Sequence, residues 1–319
     1  MNSNFPLPKG GYRGRLAPSP TGYLHVGHAH TFWVAYERAR AANGTLVVRM
    51  DDLDPDRSRA TYAEASLEDL RWLGIQWDEG PDPAGVDKGG PFAPYMQSRR
   101  QATYLAVWRK LMRGGYLYPC RCSRKDIDAA LNAPHERAGL EISREIDPLD
   151  DEPVYPGTCR PAPGHSVLGS SQQGSASAGE FEKPGAHNWR FRVPDGKVIE
   201  FDDLNLGPQR FVAGRDFGDF VVWRRDGIPS YQLACVADDA AMQITEVVRG
   251  ADLLKSTARQ ILLYRALRLK PPQWYHCELV VNEKGRRLAK RHDSLNIRTL
   301  RERGLTPMEV ISSQIPFDE

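Results

Sequence analysis

The feature that most constrains the fold is a strand-loop-helix-strand pattern near the start of the chain. A short apolar stretch ends at Leu16, a loop rich in glycine and proline follows, and apolar residues recur at helical spacing from His28 to Ala42. Asn43 and Gly44 stop this helix, and the β-branched run from Thr45 to Met50 predicts a second strand. Two strands joined through a helix begin a βαβ unit, so we predict an α/β fold with a parallel sheet.

The loop between the first strand and the first helix has the sequence RLAPSPTGYLHVGH, from Arg15 to His28. Open α/β folds bind ligands where such loops leave the carboxyl ends of strands, and a helix N-terminus attracts phosphate. His25 and His28 are spaced i, i+3 on the first turn, so we expect both rings to face one phosphoryl group. From this motif alone, two exposed histidines or a metal-binding pair are alternatives, although no nearby acid has the spacing to complete a metal site.

The other elements are predicted from the same periodicities. Helices are predicted for 61–73, 97–113 and 258–269, and strands for 219–223, 231–236 and 278–281. Cysteines, prolines and a Gly/Ser-rich segment, Gly164 to Pro184, predict an inserted subdomain that adds no strands to the sheet. The predicted division is a first catalytic half (13–115), the insertion (116–212), a second catalytic half (213–295) and a short helical tail (296–319).

Two stretches resemble the signature motifs of class I aminoacyl-tRNA synthetases of the glutamyl and glutaminyl branch. RLAPSPTGYLHVGH resembles the HIGH motif, and KGRRLAKRH at 284–292 resembles the KMSKS loop. The resemblance implies a Rossmann-like catalytic domain that uses ATP with Mg²⁺. It assigns catalysis to His25, His28 and Lys290, and it adds Gly27 and Leu288 to these three around ATP. Neither a P-loop nor a G-x-G-x-x-G motif after the first strand competes with this interpretation.

Three further stretches resemble the amino acid pocket of the same branch: RMDDLD (49–54), DFVVWRRDGIPSYQLA (219–234) and TEVVRGADL (245–253). By this resemblance Asp51 binds the substrate ammonium, and the other substrate contacts come from Arg15, Ala17, Ser19, Tyr231 and Arg249. Two arginines in one pocket suit a substrate with two carboxylates, because bidentate guanidinium pairing is strong and selective. The expected substrate is therefore L-glutamate rather than glutamine.

The five cysteines are an odd number, which favours metal binding or free thiols over a disulfide framework. A C-x-C pair and one more distant cysteine offer three thiols, and this spacing alone leaves zinc and unpaired thiols equally open. General ligand chemistry nominates His135 or His165 as a fourth ligand, whereas the family resemblance implies a tyrosine. We expect a closed, structural zinc site with these ligands: Cys120, Cys122, Tyr155 and Cys159.

Few residues follow the KMSKS-like loop, where a full glutamyl-tRNA synthetase continues into an anticodon-binding region. The pattern resembles shortened paralogues of the glutamyl branch. It implies that glutamate is transferred to the queuosine base at the wobble position of tRNA(Asp), on a hydroxyl that the sequence does not identify. The crevice would receive the anticodon loop, with Arg286, Arg287 and Arg291 meeting phosphates. A short glutamyl-tRNA synthetase that charges a 3′ end, or a non-catalytic binder of glutamate or adenylate, are the alternatives.

Composition sets only mild limits on the function. A formal net charge of +2 permits a nucleic acid partner without demanding one. The N-terminus lacks the apolar core of a signal peptide, and no apolar run approaches the length of a membrane span. We therefore expect a cytoplasmic protein with no membrane partner, and a monomer.

Overall fold

The computed structural model describes residues 11–82, 90–123, 125–127, 154–162, 183–279 and 296–312. The strands are β1 (Arg13–Leu16), β2 (Thr45–Val48), β3 (Leu117–Cys120), β4 (Asn188–Phe191), β5 (Val198–Asp203), β6 (Gly207–Val212), β7 (Phe220–Trp223), β8 (Glu246–Gly250) and β9 (Gln273–Cys277). The α-helices are α1 (Val26–Ala41), α2 (Ala60–Trp72), α3 (Gln101–Arg113), α4 (Tyr231–Ala241), α5 (Leu254–Leu267), α6 (Ile297–Glu302) and α7 (Pro307–Ile311). Two single 3-10 turns, Gln97–Arg99 and Ala251–Leu253, precede α3 and α5.

Parallel strands form the part of the fold that positions the site. β1 pairs with β2, and β8 pairs with β9, both in parallel. The two pairs meet at β1 and β8, where Thr245 N donates to Arg13 O at 2.9 Å and Arg15 Nη1 donates to Val248 O at 3.0 Å. Because these contacts advance in the same direction along both strands, β1 and β8 also run parallel. The carboxyl ends of all four strands therefore open on one edge, as the βαβ prediction requires.

A second sheet lies in the middle of the chain. β3, β4 and β7 form an antiparallel sheet in the order β3-β4-β7, and β5 and β6 form a hairpin that joins β9 through one parallel pairing of Asp203 with Trp274. The sequence predicts that the stretch from Tyr118 to about Phe191 forms an inserted subdomain and does not extend the parallel sheet. Its β3 and β4 pair with each other and with β7, apart from the parallel strands, whereas the hairpin that follows joins β9. The short strands of this stretch were not predicted. Its polar loops dominate the composition and hide short strands that bury aromatic residues, such as Trp189, which packs edge to face on Trp108 at 5.1 Å.

Two predicted strands are also corrected. Residues 231–236 begin α4, a helix whose cap Ser230 accepts a hydrogen bond from Leu233 N. This helix is buried on several faces, and a continuous apolar run does not distinguish such a helix from a strand. The last strand is Gln273–Cys277; Glu278 and Leu279 follow it outside any strand, and 280–281 lie beyond the described residues. The buried His276 interrupts the apolar pattern that would have marked the strand.

Within the described ranges, no helix is both long enough and apolar enough to cross a membrane.

Candidate active site

A cavity of about 400 Å³ lies at the edge where the parallel strands end. Nine residues predicted from the sequence line it: Arg15, Ala17, Ser19, His25, Gly27, His28, Asp51, Tyr231 and Arg249. They come from β1, the loop after it, α1, the loop after β2, the start of α4 and β8. The whole 284–292 loop, with Leu288, Lys290 and its arginines, lies outside the described residues. The structure thus brings both halves of the chain to one cavity.

Two histidines cap the N-terminus of α1 at the mouth of this cavity. His25 Nδ1 accepts a hydrogen bond from Gly27 N at 3.1 Å, and His28 Nδ1 accepts one from His25 N at 3.2 Å. The ring centroids are 3.8 Å apart, so the two rings do lie together. Because each Nδ1 accepts, each ring in its neutral form carries its proton on Nε2. Gly27 packs closely beside them: a Cβ there would lie 3.0 Å from His25 Cε1 and 3.1 Å from its Nδ1, so the ring would have to shift.

A buried network of three arginines and three aspartates lies at the Asp51 side of the cavity; we call it the arginine–aspartate network. Its members are Arg15, Arg49, Arg100, Asp51, Asp238 and Asp239. Arg49 is completely buried and donates to Asp51 Oδ1 at 2.7 Å and to Asp239 Oδ1 at 2.6 Å. Arg100 donates to Asp238 at 2.6 Å. With its charges balanced and its partners fixed, the network holds Asp51 in one orientation.

Asp51 presents a carboxylate at the cavity wall. Burial raises the pKa of Asp51 to about 6, and Arg49 opposes this by lowering it. The group is therefore ionised at neutral pH. A fixed, buried carboxylate at the wall of the cavity suits a cationic ligand such as an ammonium group.

Arg249 lies in the same cavity and is held in a different way. The side chain is 5% exposed. Its Nε donates to His276 Nε2 at 3.2 Å, its Nη1 to Tyr231 Oη at 3.3 Å and its Nη2 to Thr257 Oγ1 at 2.6 Å. His276 Nδ1 lies 2.6 Å from Asp203 Oδ2. We call these five residues the Arg249 clamp.

Sequence reasoning gave no role to three members of the clamp, Asp203, Thr257 and His276. The one signal in the sequence is a polar residue within a buried segment: Thr257 stands in the largely buried helix α5, and His276 stands in the strand β9. The sequence reasoning also gave no role to four residues that line the cavity: Thr31, Phe32, Asp252 and Glu278. Glu278 directly follows β9 and Asp252 lies two residues after β8, at the strand ends where ligands of such folds bind.

The predicted zinc ligands form a separate cluster. The Sγ atoms of Cys120, Cys122 and Cys159 lie within 4.8 Å of one another. Tyr155 Oη lies 3.4 Å from Cys120 Sγ and 3.5 Å from Cys122 Sγ. Three thiols and one oxygen at this spacing fit a soft divalent metal with four ligands. His135 and His165 lie outside the described residues, so Tyr155 is the fourth candidate that the structure places beside the thiols.

The chain matches a known family over most of its length. Its parallel sheet carries paired histidines at the first helix, beside a cavity lined by buried arginines and an acid. The family model described as "tRNA synthetases class I (E and Q), catalytic domain" matches residues 12–147 and 165–315. The chain belongs to this family.

Individual relatives are similar over most of the chain. A glutamyl-Q tRNA(Asp) synthetase of Nitratidesulfovibrio vulgaris is 46% identical over 92% of this chain and 82% of its own length. One from Symbiobacterium thermophilum is 44% identical over 93% and 84%. A crystal structure of a glutamate tRNA ligase from Elizabethkingia meningosepticum, in complex with its amino acid, matches with a TM-score of 0.69 and 28% identity. That match covers 92% of this chain and 53% of the ligase, so the chain spans about half of it.

Proposed function

We propose that this chain activates L-glutamate with ATP to glutamyl-adenylate and transfers the glutamate to the queuosine base at the wobble position of tRNA(Asp). One observation carries the choice of amino acid: Arg15 and Arg249, each 5% exposed, share one cavity with the carboxylate of Asp51. Guanidinium groups pair with carboxylates, and Asp51 pairs with the ammonium. Ala17, Ser19 and Tyr231 complete the surroundings of the substrate.

In this proposal the histidine cap serves ATP. Nε2 donors of His25 and His28 stabilise negative charge as it develops on the α-phosphate, and Gly27 allows the nucleotide to approach the backbone. Lys290 of the KMSKS-like loop neutralises the departing pyrophosphate, Leu288 contacts the nucleotide, and Mg²⁺ accompanies it. In the proposed order of events, the glutamate carboxylate first attacks the α-phosphorus of ATP and pyrophosphate leaves. The glutamate is then transferred from the adenylate to the RNA.

Replacing His28 with alanine tests this role. We expect glutamate-dependent pyrophosphate exchange to slow by roughly 10²-fold or more if the ring stabilises the transition state. The alanine variant also loses one half of the α1 cap, so its thermal unfolding is measured in parallel. An unchanged exchange rate in a folded variant would remove His28 from catalysis.

The choice of acceptor rests on the two relatives that this chain covers over most of their length, since both are named for tRNA(Asp) and glutamyl-Q. Similarity to the glutamate tRNA ligase of known structure favours a second candidate, a short enzyme that charges a tRNA 3′ end. Both candidates share the activation step and differ only in the RNA site that receives glutamate.

Labelled glutamate separates the two candidates. The protein is incubated with ATP, labelled glutamate and tRNA from queuosine-proficient cells, and in parallel with tRNA from cells unable to make queuosine. Label on tRNA(Asp) in the first sample alone supports the base-modifying function. Equal label on tRNA(Glu) in both samples supports the charging enzyme and contradicts our proposal.

We also propose that Cys120, Cys122, Tyr155 and Cys159 hold a structural zinc ion within an insertion spanning 116–212, between catalytic halves at 13–115 and 213–295. The spacing of the four donor atoms supports this assignment. Metal analysis of protein expressed with added zinc tests this assignment. A molar ratio of zinc to protein near zero would contradict it. A monomer in the cytoplasm, binding the anticodon loop of tRNA(Asp), completes the proposal.

A further inference from the structure

The charge of Arg249 is held without being neutralised. A guanidinium has five N–H donors, and three of those of Arg249 make the hydrogen bonds to His276, Tyr231 and Thr257. These acceptors are an imidazole and two hydroxyl groups. Within the part of the chain that the structure describes, no carboxylate lies within ion-pair distance of this guanidinium. Arg249 lines the cavity, so its positive charge is accessible to an anionic ligand there.

This arrangement requires one tautomer of His276. The guanidinium of Arg249 is always protonated and can only donate, so His276 Nε2 must carry a lone pair. The ring must then carry its proton on Nδ1, where Asp203 Oδ2 accepts it at 2.6 Å. Thr257 Oγ1 also lies 3.0 Å from His276 Nε2, and in this tautomer its hydroxyl group can donate there. A proton on Nε2 would point towards Thr257 Oγ1 and leave Arg249 Nε without its acceptor.

Asp203 is itself fixed by the backbone. Its Oδ1 accepts from the N–H groups of Asn205 at 3.1 Å, Leu206 at 2.9 Å and His276 at 3.2 Å. With Oδ1 occupied in this way, Oδ2 faces the imidazole. Parallel pairing of β8 with β9 places Arg249 directly beside His276, so the backbone sets the distance between the two side chains.

We infer that Asp203, His276 and Thr257 are positioning residues that hold Arg249 ready for a carboxylate of the substrate. The inference rests on the proposed function in one respect, namely that Arg249 binds the amino acid. None of the three touches the reacting atoms in this assignment; each acts through the guanidinium. Neutral acceptors serve this purpose because a protein carboxylate in their place would compete with the substrate for the same charge.

Protonation behaviour agrees with this geometry. Burial lowers the pKa of His276 below its ordinary value, and Arg249 lowers it further, against the opposing effect of the hydrogen bond to Asp203. Burial raises the pKa of Asp203, but hydrogen bonds from His276 and Leu206 outweigh burial and hold the value below the ordinary one. A neutral imidazole beside an ionised carboxylate is the state that the clamp needs.

The variant Asp203→Asn tests the inference. Its amide oxygen can keep the backbone hydrogen bonds, and its NH₂ group then donates to His276 Nδ1 and moves the ring proton to Nε2. We expect the KM for glutamate in pyrophosphate exchange to rise roughly tenfold or more, as for other groups that orient a ligand-binding residue, with the KM for ATP unchanged. The matched control is Asp219→Asn, an equally buried carboxylate that accepts from Tyr118 and Val193 N and should leave the KM for glutamate unchanged.

A second pair of variants guards against misfolding of the first. Thr257→Val removes the acceptor of Arg249 Nη2 at nearly constant volume, whereas Thr257→Ser keeps the hydroxyl group. We expect the valine variant to raise the KM for glutamate and the serine variant to restore it. A KM for glutamate that stays at the wild-type value in folded Asp203→Asn and Thr257→Val variants would overturn the inference.

The tautomer is observed directly by nitrogen-15 NMR of histidine-labelled protein, with the His276 signal assigned from its loss in His276→Gln. We expect the Nδ1–H form in the wild type and the Nε2–H form in Asp203→Asn. An Nε2–H form in the wild type would overturn the inference even if glutamate is the substrate. Absence of glutamate-dependent exchange in the wild type would instead overturn the proposed function and leave the tautomer test standing.

Discussion

Arg49 and Arg249 lie in the same active site and are buried to nearly the same degree, 0% and 5% exposed, yet their partners differ in charge. Arg49 donates to the carboxylates of Asp51 and Asp239. Arg249 donates to an imidazole and two hydroxyl groups. Burial alone therefore does not distinguish these two arginines; the charge of their partners does.

The difference follows from what each arginine must do. A buried charge is tolerated when opposite charges and hydrogen bonds surround it, and the arginine–aspartate network supplies both. The Arg249 clamp supplies neutral acceptors for its hydrogen bonds, and its one carboxylate, Asp203, contacts His276 rather than the guanidinium. In our proposal the opposite charge comes from the substrate carboxylate, so Arg49 belongs to the stability of the fold and Arg249 to its chemistry.

The largest effect is expected from Arg49→Met. The change leaves Asp51 and Asp239 buried without their cation, and breaking a buried pair in this way costs about 3–5 kcal/mol. Urea unfolding followed by fluorescence measures the loss. The exposed Arg215→Met, which breaks a surface pair with Asp216, serves as the control and should cost about 1 kcal/mol or less. Equal unfolding midpoints for the two variants would contradict the role assigned to Arg49.

Arg249→Met should have the opposite effects: a large loss of activity and a small change in stability. Removing a guanidinium that binds a buried carboxylate costs about 3–4 kcal/mol of binding, so kcat/KM for glutamate should fall roughly 10²- to 10³-fold. Stability should change little, because no protein carboxylate in the described chain loses a partner. Pyrophosphate exchange and urea unfolding of the same preparation check both halves. If the variant unfolds as readily as Arg49→Met, the comparison between the two arginines fails.

A smaller effect is expected from pH through Asp51. Burial raises the pKa of Asp51 to about 6, so kcat/KM for glutamate should fall as the pH drops through about 6, roughly tenfold per unit. This loss is not acid unfolding: a pKa above that of the unfolded chain means that protonating Asp51 adds stability at low pH. Rate profiles from pH 5 to 8 with Asp51→Asn as reference measure it. The same slope in the asparagine variant would assign the titration to another group.

The smallest effect is expected from Tyr231→Phe. The hydroxyl group accepts from Arg249 at 3.3 Å, the longest of the three clamp contacts, and the ring is partly exposed. Loss of one such hydrogen bond costs about 1 kcal/mol, which corresponds to a roughly fivefold higher KM for glutamate. Steady-state kinetics at saturating ATP measure this change. A loss as large as that of Arg249→Met would mean that the tyrosine contacts the substrate in its own right.

Much of the site was predictable because its residues stand in recognisable motifs. Arg15, His25 and His28 follow a first strand, and Asp51 follows a second, so their meeting at one edge is a property of parallel sheets. The clamp was not predictable in this way. Its link between Asp203 and His276 depends on the register of β5, β8 and β9, and a helix and a strand were confused near 231 because a buried apolar run has no distinct period.

Chain order has a consequence for synthesis. Arg13 N donates to Thr245 Oγ1, and 232 residues separate the two. At 5–20 residues per second, roughly 10–50 s pass on the ribosome between these two residues. During that interval β1 lacks the neighbour β8, and the cavity lacks the wall that carries Arg249. The nascent chain therefore holds β1 without one of its two neighbours for that interval, and its cavity is complete only after β8 has emerged.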